Sequence, residues 1–268
     1  MDSERMYHLA LNAEMIEGAR YAFLPGAPER VPVIAKRFDP GAKELASRRE
    51  FRTWLGEIEG ERVLVTSTGI GGPSASIAVE ELAKLGVRTF IRIGTSGAIR
   101  PGIRTGDVVI TTGALRLDGT SDHYAPPEYP AVAHFSVLDA LVEGARKVSE
   151  KGGFSFHVGI TATLASFYAG QERYDSYRGY VIRKFRGAVE EWKRLNVLNC
   201  EMEAATLLTI CSALGLRGGC VTVVLVEREK GERIDEGEVR RVEINAIDVG
   251  IEGMRSLIRE DKASGTLP

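Results

Sequence analysis

Short apolar runs alternate with amphipathic stretches along this chain. Val63-Leu64-Val65-Thr66-Ser67 has the composition of a buried strand. It runs into Gly69-Ile70-Gly71-Gly72-Pro73, a turn whose proline is placed to begin a helix. Ala78, Leu82 and Leu85 then recur at i, i+4 and i+7, and Gly86 marks the end of that helix. Thr89–Ile93, Asp107–Thr111, His157–Thr161 and Val221–Val226 read as further strands. Helices are predicted from about Val137 to Glu150, from Leu207 to Leu214 and from Glu236 to Arg259. Strands alternating with helices indicate an α/β fold around a large central sheet. No repeat, low-complexity tract or linker interrupts the pattern. A single domain over residues 1–268 is expected, with residues 1–5 and the polar tail 261–268 flexible.

Composition narrows the possibilities. Apolar residues are 44% of the 268, enough for a substantial core. The formal net charge is −2, without the basic excess of a nucleic-acid binder, and Arg48-Arg49 and the 183–186 stretch are too short to alter this. No apolar run approaches the ~20 residues that span a bilayer. The N-terminus carries no signal-peptide pattern, so a cytoplasmic location is expected. Cys200, Cys211 and Cys220 lack CxxC spacing and read as buried free thiols. His123, His134 and His157 show no metal-ligand spacing. Asn occurs four times and Gln once, at Gln171. Amide depletion beside many Glu, Lys and Arg fits heat adaptation, and it raises the question of what the one Gln does.

Three segments concentrate glycine with arginine or hydroxyl residues: Pro25–Arg30, Ser67–Gly72 and Arg92–Gly97. Each is either a tight turn or a place where backbone amides approach an anion. GxxxxGK[ST] and a GxGxxG after the first strand are both missing, which argues against a P-loop and a dinucleotide cofactor. Arg92 is the sharper signal. Its strand neighbours Phe90, Ile91 and Ile93 look buried, and a buried guanidinium needs an anionic partner. That partner is either a carboxylate or a phosphate bound at the C-terminal end of the strand. Residues 197–203 read as a strand end, on which Glu201 and Glu203 point the same way; the alternative is two solvated carboxylates at a helix start.

Five motifs carry a resemblance to a known family: Pro25-Gly26-x-Pro28-x-Arg30, Ser67–Ser74, Arg92-Ile93-Gly94-Thr95, Phe167–Tyr174 and Glu201-Met202-Glu203. From about Tyr7 to Arg259 the chain resembles the uridine-cleaving branch of the nucleoside phosphorylase-I family, with the segment Gln171-Glu172-Arg173 pointing to that branch. The resemblance implies a three-layer α/β/α sandwich with a central mixed, partly barrel-like sheet. It implies a homohexamer, a trimer of dimers with each site shared across a dimer. Gly26, Arg30, Arg92 and Thr95 would bind phosphate, joined by Arg49 from the neighbouring subunit. His8, also the neighbour's, would touch the ribose 5′-hydroxyl, and Met202 and Glu203 would hold the ribose. Phe167, Gln171 and Arg173 would hold uracil, with Glu201 beside them and Arg228 over the base in a mobile loop. Glu50, Ile70 and Ser74 match the positions of an interface potassium ion. No cofactor is implied beyond inorganic phosphate as co-substrate.

These residue types suit that reaction. Phosphate attacking C1′ with inversion must be held beneath a ribosyl group of oxocarbenium character, which arginines do by positioning. Glu203 can accept from both ribose hydroxyls and favour the cationic sugar. Uracil offers O2, N3–H and O4. Gln171 can accept from N3–H and donate to an oxygen, a pairing Glu cannot make, and Arg173 can donate to O4. Both donors strengthen as charge develops on the leaving base.

Four features depart from the branch: Ala169 in place of proline, Cys200 in place of an aromatic residue, Glu227 before Arg228, and the charged segment 229–234. Glu227 could imitate an acid that protonates purine bases, so a purine or broad-specificity phosphorylase is the alternative expectation. A nucleosidase, or a nucleoside-binding protein without catalysis, fits the arginines and the Glu203 set less well.

Overall fold

The computed structural model describes residues 5–229, 236–265 and 268. Ten strands and six helices lie among them. In chain order they are β1 (Tyr21–Leu24), α1 (Arg30–Phe38), β2 (Lys43–Arg48), β3 (Phe51–Ile58), β4 (Glu61–Thr66), α2 (Gly72–Leu85), β5 (Thr89–Ala98), β6 (Val108–Leu117), β7 (Ala131–Val132), α3 (Phe135–Gly152), β8 (Phe156–Leu164), α4 (Ala188–Arg194), β9 (Asn199–Glu201), α5 (Ala204–Ala213), β10 (Arg217–Glu227) and α6 (Glu236–Ser264).

Period-two alternation sorts the strand side chains into two layers. On β1, Tyr21 and Phe23 join Val63 and Val65 of β4 and Ile91 and Ile93 of β5 beneath α1, α3 and α6. Ala22 and Leu24 face the other way, with Leu64 and Phe90, toward α2 and α5. Each large side chain fully withdrawn from water contributes about 1.5–3 kcal/mol, so the two faces hold the helices down. This is the expected three-layer arrangement.

The sheet is mixed and closes on itself over half its width. β5 pairs parallel with β10 and antiparallel with β9. β9 pairs parallel with β8, β8 parallel with β6, and β6 antiparallel with β10, completing a ring of five. From β5 the sheet continues open through β1, β4, β3 and β2. A buried polar chain crosses the ring. The Thr111 and Thr161 hydroxyls are 2.8 Å apart. Thr161 donates to Asn199 Oδ1 at 2.8 Å, and Asn199 Nδ2 donates to Thr222 Oγ1 at 2.9 Å. Every member finds a partner, as a buried polar group requires.

Three expectations change. β5 does not end at Ile93 but runs through Gly94-Thr95-Ser96-Gly97, because β10 pairs with it as far as Ala98; the third glycine segment is strand, not loop. The strand carrying Glu201 stops there, and Glu203 is the N-cap of α5. The tail does not fray at Asp261. α6 continues to Ser264, and Asp261 is buried. Its carboxylate accepts from Arg217 at 2.8 and 2.6 Å and from Tyr21 Oη at 2.8 Å. Most of the charged segment 229–234, from residue 230 on, lies outside the described residues, as do residues 1–4. Among the described residues, no helix is long and apolar enough to cross a membrane.

Candidate active site

A cavity of about 520 Å³ opens at the C-terminal ends of β1, β5 and β9, the edge where α/β sheets take ligands. It brings together Gly26, Arg30, Arg92, Thr95, Phe167, Gln171, Arg173, Glu201, Met202 and Glu203, ten of the residues singled out from sequence.

At one end sit two buried guanidinium groups. The turn after β1 is zipped to the turn after β4, with Thr68 N–H donating to Pro25 O and Gly69 N–H to Gly26 O, both at 2.9 Å. That fixes Gly26 and delivers Arg30 as the first residue of α1. Arg30 Nε lies 3.3 Å from Glu243 Oε1 as an ion pair, and its buried Nε and Nη2 both lack a hydrogen-bond partner among the described residues. Burial pulls the Arg30 pKa down, Glu243 opposes this, and the like charge of Arg92 pulls it further down. Arg92 Nε donates to Glu201 Oε2 at 2.9 Å, its Nη2 pairs with Glu203, and its buried Nη1 has no partner among the described residues. Burial opposes the Arg92 charge, but Glu203 and Glu201 outweigh it and raise its pKa. The carboxylate reading of Arg92 therefore holds, and Nη1 is left over as a buried donor.

Gly94 exists to make room for that guanidinium. A Cβ there would sit 2.8 Å from Arg92 Nη2 and 2.9 Å from its Cζ, since residues two apart share a strand face. Gly94→Ala is expected to weaken phosphate binding on the order of 10–100-fold, the worth of one displaced charge-assisted contact. Phosphate titrations of the variant, with the thermal midpoint as control, check this.

The middle of the cavity is carboxylate-lined, though not as a strand pair. Glu201 closes β9 and turns its carboxylate onto the N-terminus of α5, where it accepts from Glu203 N–H at 2.7 Å and Ala204 N–H at 2.9 Å. It also accepts from the Thr163 hydroxyl at 2.6 Å. With Arg92 added, its oxygens are fully engaged. Within this chain Glu201 orients Arg92 and caps a helix. Glu203 reaches the same arginine from the cap position and accepts from Gly71 N–H, an amide presented by a left-handed turn (φ 95°). Burial raises the Glu203 pKa, against the pull of Arg92. Met202 lies between the two glutamates and lines the cavity.

At the other end, the loop after β8 supplies Phe167, Gln171 and Arg173. The Arg173 guanidinium stacks 4.0 Å from the Phe167 ring centroid and donates to Gln171 Oε1 at 3.2 and 3.3 Å. The Cys200 thiol lies 3.7 Å from the same oxygen. Donors on two sides fix which way the amide points. Glu172, between the two, faces away and accepts from Gly187 N–H at 2.6 Å and Val189 N–H at 2.9 Å. It ties the loop to the start of α4.

Several expected residues stand elsewhere. His8 does not line the cavity; its Nδ1 is 2.7 Å from Glu81 Oε1, and Glu81 also accepts from Leu9 N–H at 2.8 Å. Arg49 sits exposed at the β2–β3 turn with φ 55°. Glu50 and Ser74 flank Gly69 outside the cavity, whose wall Ile70 joins. Arg228 packs its side chain over Gly97 beside Cys200, whose pKa burial raises and Arg228 lowers. Leu225 and Val226 line the cavity and Glu227 does not. Glu243 was invisible in the sequence. It is one of several glutamates on a long amphipathic helix, and only the packing of α6 against the sheet aims it at Arg30.

An oxyanion end built from buried arginines, facing an amide–guanidinium end across a carboxylate, is the arrangement of an enzyme that moves a sugar between a base and phosphate. A sequence profile of the phosphorylase superfamily covers residues 20–249, and the chain belongs to that superfamily. Its relatives are more particular. The chain is 50% identical to the uridine phosphorylase of Escherichia coli over 96% of this chain and 100% of that protein. It is 48% identical to the uridine phosphorylase of Thermococcus kodakarensis over 87% of this chain and 81% of that one. A guanosine phosphorylase of Halorubrum lacusprofundi is 38% identical over 76% of each.

Proposed function

We propose that the chain cleaves uridine with inorganic phosphate, giving uracil and ribose 1-phosphate with inversion at C1′ and no covalent intermediate. The observation that carries this is three buried guanidinium nitrogens without a hydrogen-bond partner among the described residues, Arg30 Nε and Nη2 and Arg92 Nη1, in one cavity with Gln171 and Arg173. The uridine phosphorylases that match nearly the whole chain support it.

Phosphate seats on Arg30, Arg92, Thr95 and the backbone at Gly26. One of its oxygens attacks C1′ as the C1′–N1 bond breaks, and the bonding pair leaves on uracil N1. Glu203 and Met202 hold the ribose, and the Glu203 carboxylate favours the positive charge that develops on it. Gln171 and Arg173 stabilise the departing base, with Phe167 against its face and Arg228 beside it. The reaction needs no organic cofactor and no nucleophilic side chain.

His8 and Arg49 lie outside this chain's cavity, so their expected roles require a second copy. We assign them to the neighbour's site in a homohexamer, a trimer of dimers. Arg49→Ala and Glu203→Ala proteins, each inactive alone, are then expected to regain activity when their subunits are mixed and reassembled. No recovery would argue for self-sufficient sites. For potassium, Glu50, Ile70 and Ser74 offer a carboxylate, a carbonyl and a hydroxyl, with Ser74 Oγ 3.5 Å from Ile70 O. Such oxygen donors fit a hard cation, and we propose them as one chain's share of an interface site.

The test is ultraviolet-monitored cleavage of uridine with and without phosphate, beside inosine. Uridine loss that requires phosphate is expected. Loss without phosphate means a hydrolase. The guanosine phosphorylase relative makes inosine the instructive second substrate, and preferential inosine cleavage would move the assignment to the purine branch.

A further inference from the structure

We propose that Glu243 makes the oxyanion end of the cavity selective for a protonated tetrahedral anion: hydrogen phosphate or hydrogen arsenate, not sulfate. The inference rests on Arg30 and Arg92 being the phosphate ligands.

Charge is the first argument. The wall at this end carries two cations, Arg30 and Arg92, and three carboxylates, Glu201, Glu203 and Glu243, all lining the same cavity. A dianion without a proton meets three carboxylates that the two arginines, even joined by a neighbour's Arg49, do not outweigh. An anion that brings a proton can turn one carboxylate contact into an O–H···O⁻ bond, among the short, strong class.

Availability is the second. Glu201 is engaged by Arg92, Thr163 and two amides. Glu203 is engaged by Arg92 and Gly71. Glu243 is held at 3.3 Å by Arg30 Nε, and a carboxylate accepts at about four lone-pair positions. Glu201 is filled and the remaining capacity of Glu203 serves the ribose, which leaves Glu243 as the carboxylate with acceptor positions to spare. Glu29, the remaining carboxylate here, is exposed, and water satisfies it.

Placement is the third. Arg30 faces Glu243 across an ion pair at Nε, and its buried Nε and Nη2 both lack a hydrogen-bond partner among the described residues. An anion seated on Nη2 shares the guanidinium with Glu243 and stands beside its carboxylate. A bare oxygen there is repelled; a hydroxyl donates. The bond also keeps the phosphate proton on the oxygen facing Glu243. Another, unprotonated oxygen remains to form the bond to C1′, and the proton leaves with ribose 1-phosphate.

Equilibrium binding of inorganic phosphate and of sulfate to the full chain, wild type beside Glu243→Gln and Glu243→Asp, tests this. Wild type is expected to prefer phosphate on the order of 10–100-fold, the worth of one hydrogen bond to a charged group. Glu243→Gln should bring the two anions within about threefold, chiefly by admitting sulfate, and Glu243→Asp should keep the preference. An unchanged ratio in Glu243→Gln, or equal weakening of both anions, overturns the inference; the latter would leave Glu243 only positioning Arg30. A second measurement uses wild type alone, where arsenate should compete with phosphate well and selenate poorly. Equal competition overturns the inference without touching the phosphate site. Wild type that binds neither phosphate nor arsenate overturns the phosphate reading itself.

Discussion

Cytidine is expected to turn over at least ~10⁴ times more slowly than uridine, because a site built on hydrogen bonds rejects a mismatched partner by about that factor. Cytosine presents an acceptor at N3 and a donor at N4, the reverse of uracil. Gln171 could in principle meet cytosine by rotating its amide half a turn. The structure forbids that rotation, since Arg173 donates twice to Oε1 and the Cys200 thiol lies against the same oxygen. Turning the amide would point its NH₂ at two donors. Discrimination thus depends on the residues behind Gln171 as well as on Gln171. Competing uridine and cytidine progress curves measure it, and cytidine cleavage within tenfold of uridine would remove Gln171 and Arg173 from base recognition.

Arg92→Ala should be the most damaging single change. It removes a phosphate donor and strands two buried carboxylates that now share one guanidinium. Losing one or two hydrogen bonds to a charged ligand lowers kcat/KM by about 10²–10⁴. Breaking a buried ion pair on one side costs about 3–5 kcal/mol of stability. Arg92→Lys keeps the charge but not the fork, and cannot reach Glu201, Glu203 and an anion together. It is expected to recover stability more than activity. Denaturant unfolding and phosphate-dependent kinetics on the two variants separate these effects. A stable, active Arg92→Ala protein would sink the account of this end of the cavity.

The core strands and helices were legible because their apolar positions keep one period over several residues, as in Val63–Thr66 and Ala78–Leu85. Arg92 was legible because a charge inside an apolar strand demands a partner. What failed to show was set by tertiary partners. β5 runs past Ile93 because β10 lies beside it, and no local property of Gly94–Gly97 announces that. Glu201 and Glu203 both reach Arg92, but through a helix cap and not along a strand, so their different duties could not be read from spacing. Asp261 sits in a polar tail and is nevertheless buried, because Arg217 and Tyr21 wait for it 44 and 240 residues away. Glu243 needed the docking of α6.

The ring of β5, β10, β6, β8 and β9 bears on how such a site can change. Arg92 and Glu201 both sit on strands of this ring, so backbone pairing sets their separation. Strand Arg92 and cap Glu203 keep their spacing whatever the substrate. New specificity must then come from the loop after β8, from the residues beyond β10, or from another copy of the chain. Arg92 is thus fixed by the ring itself, whereas Gln171 and Arg173 hang on a loop outside it.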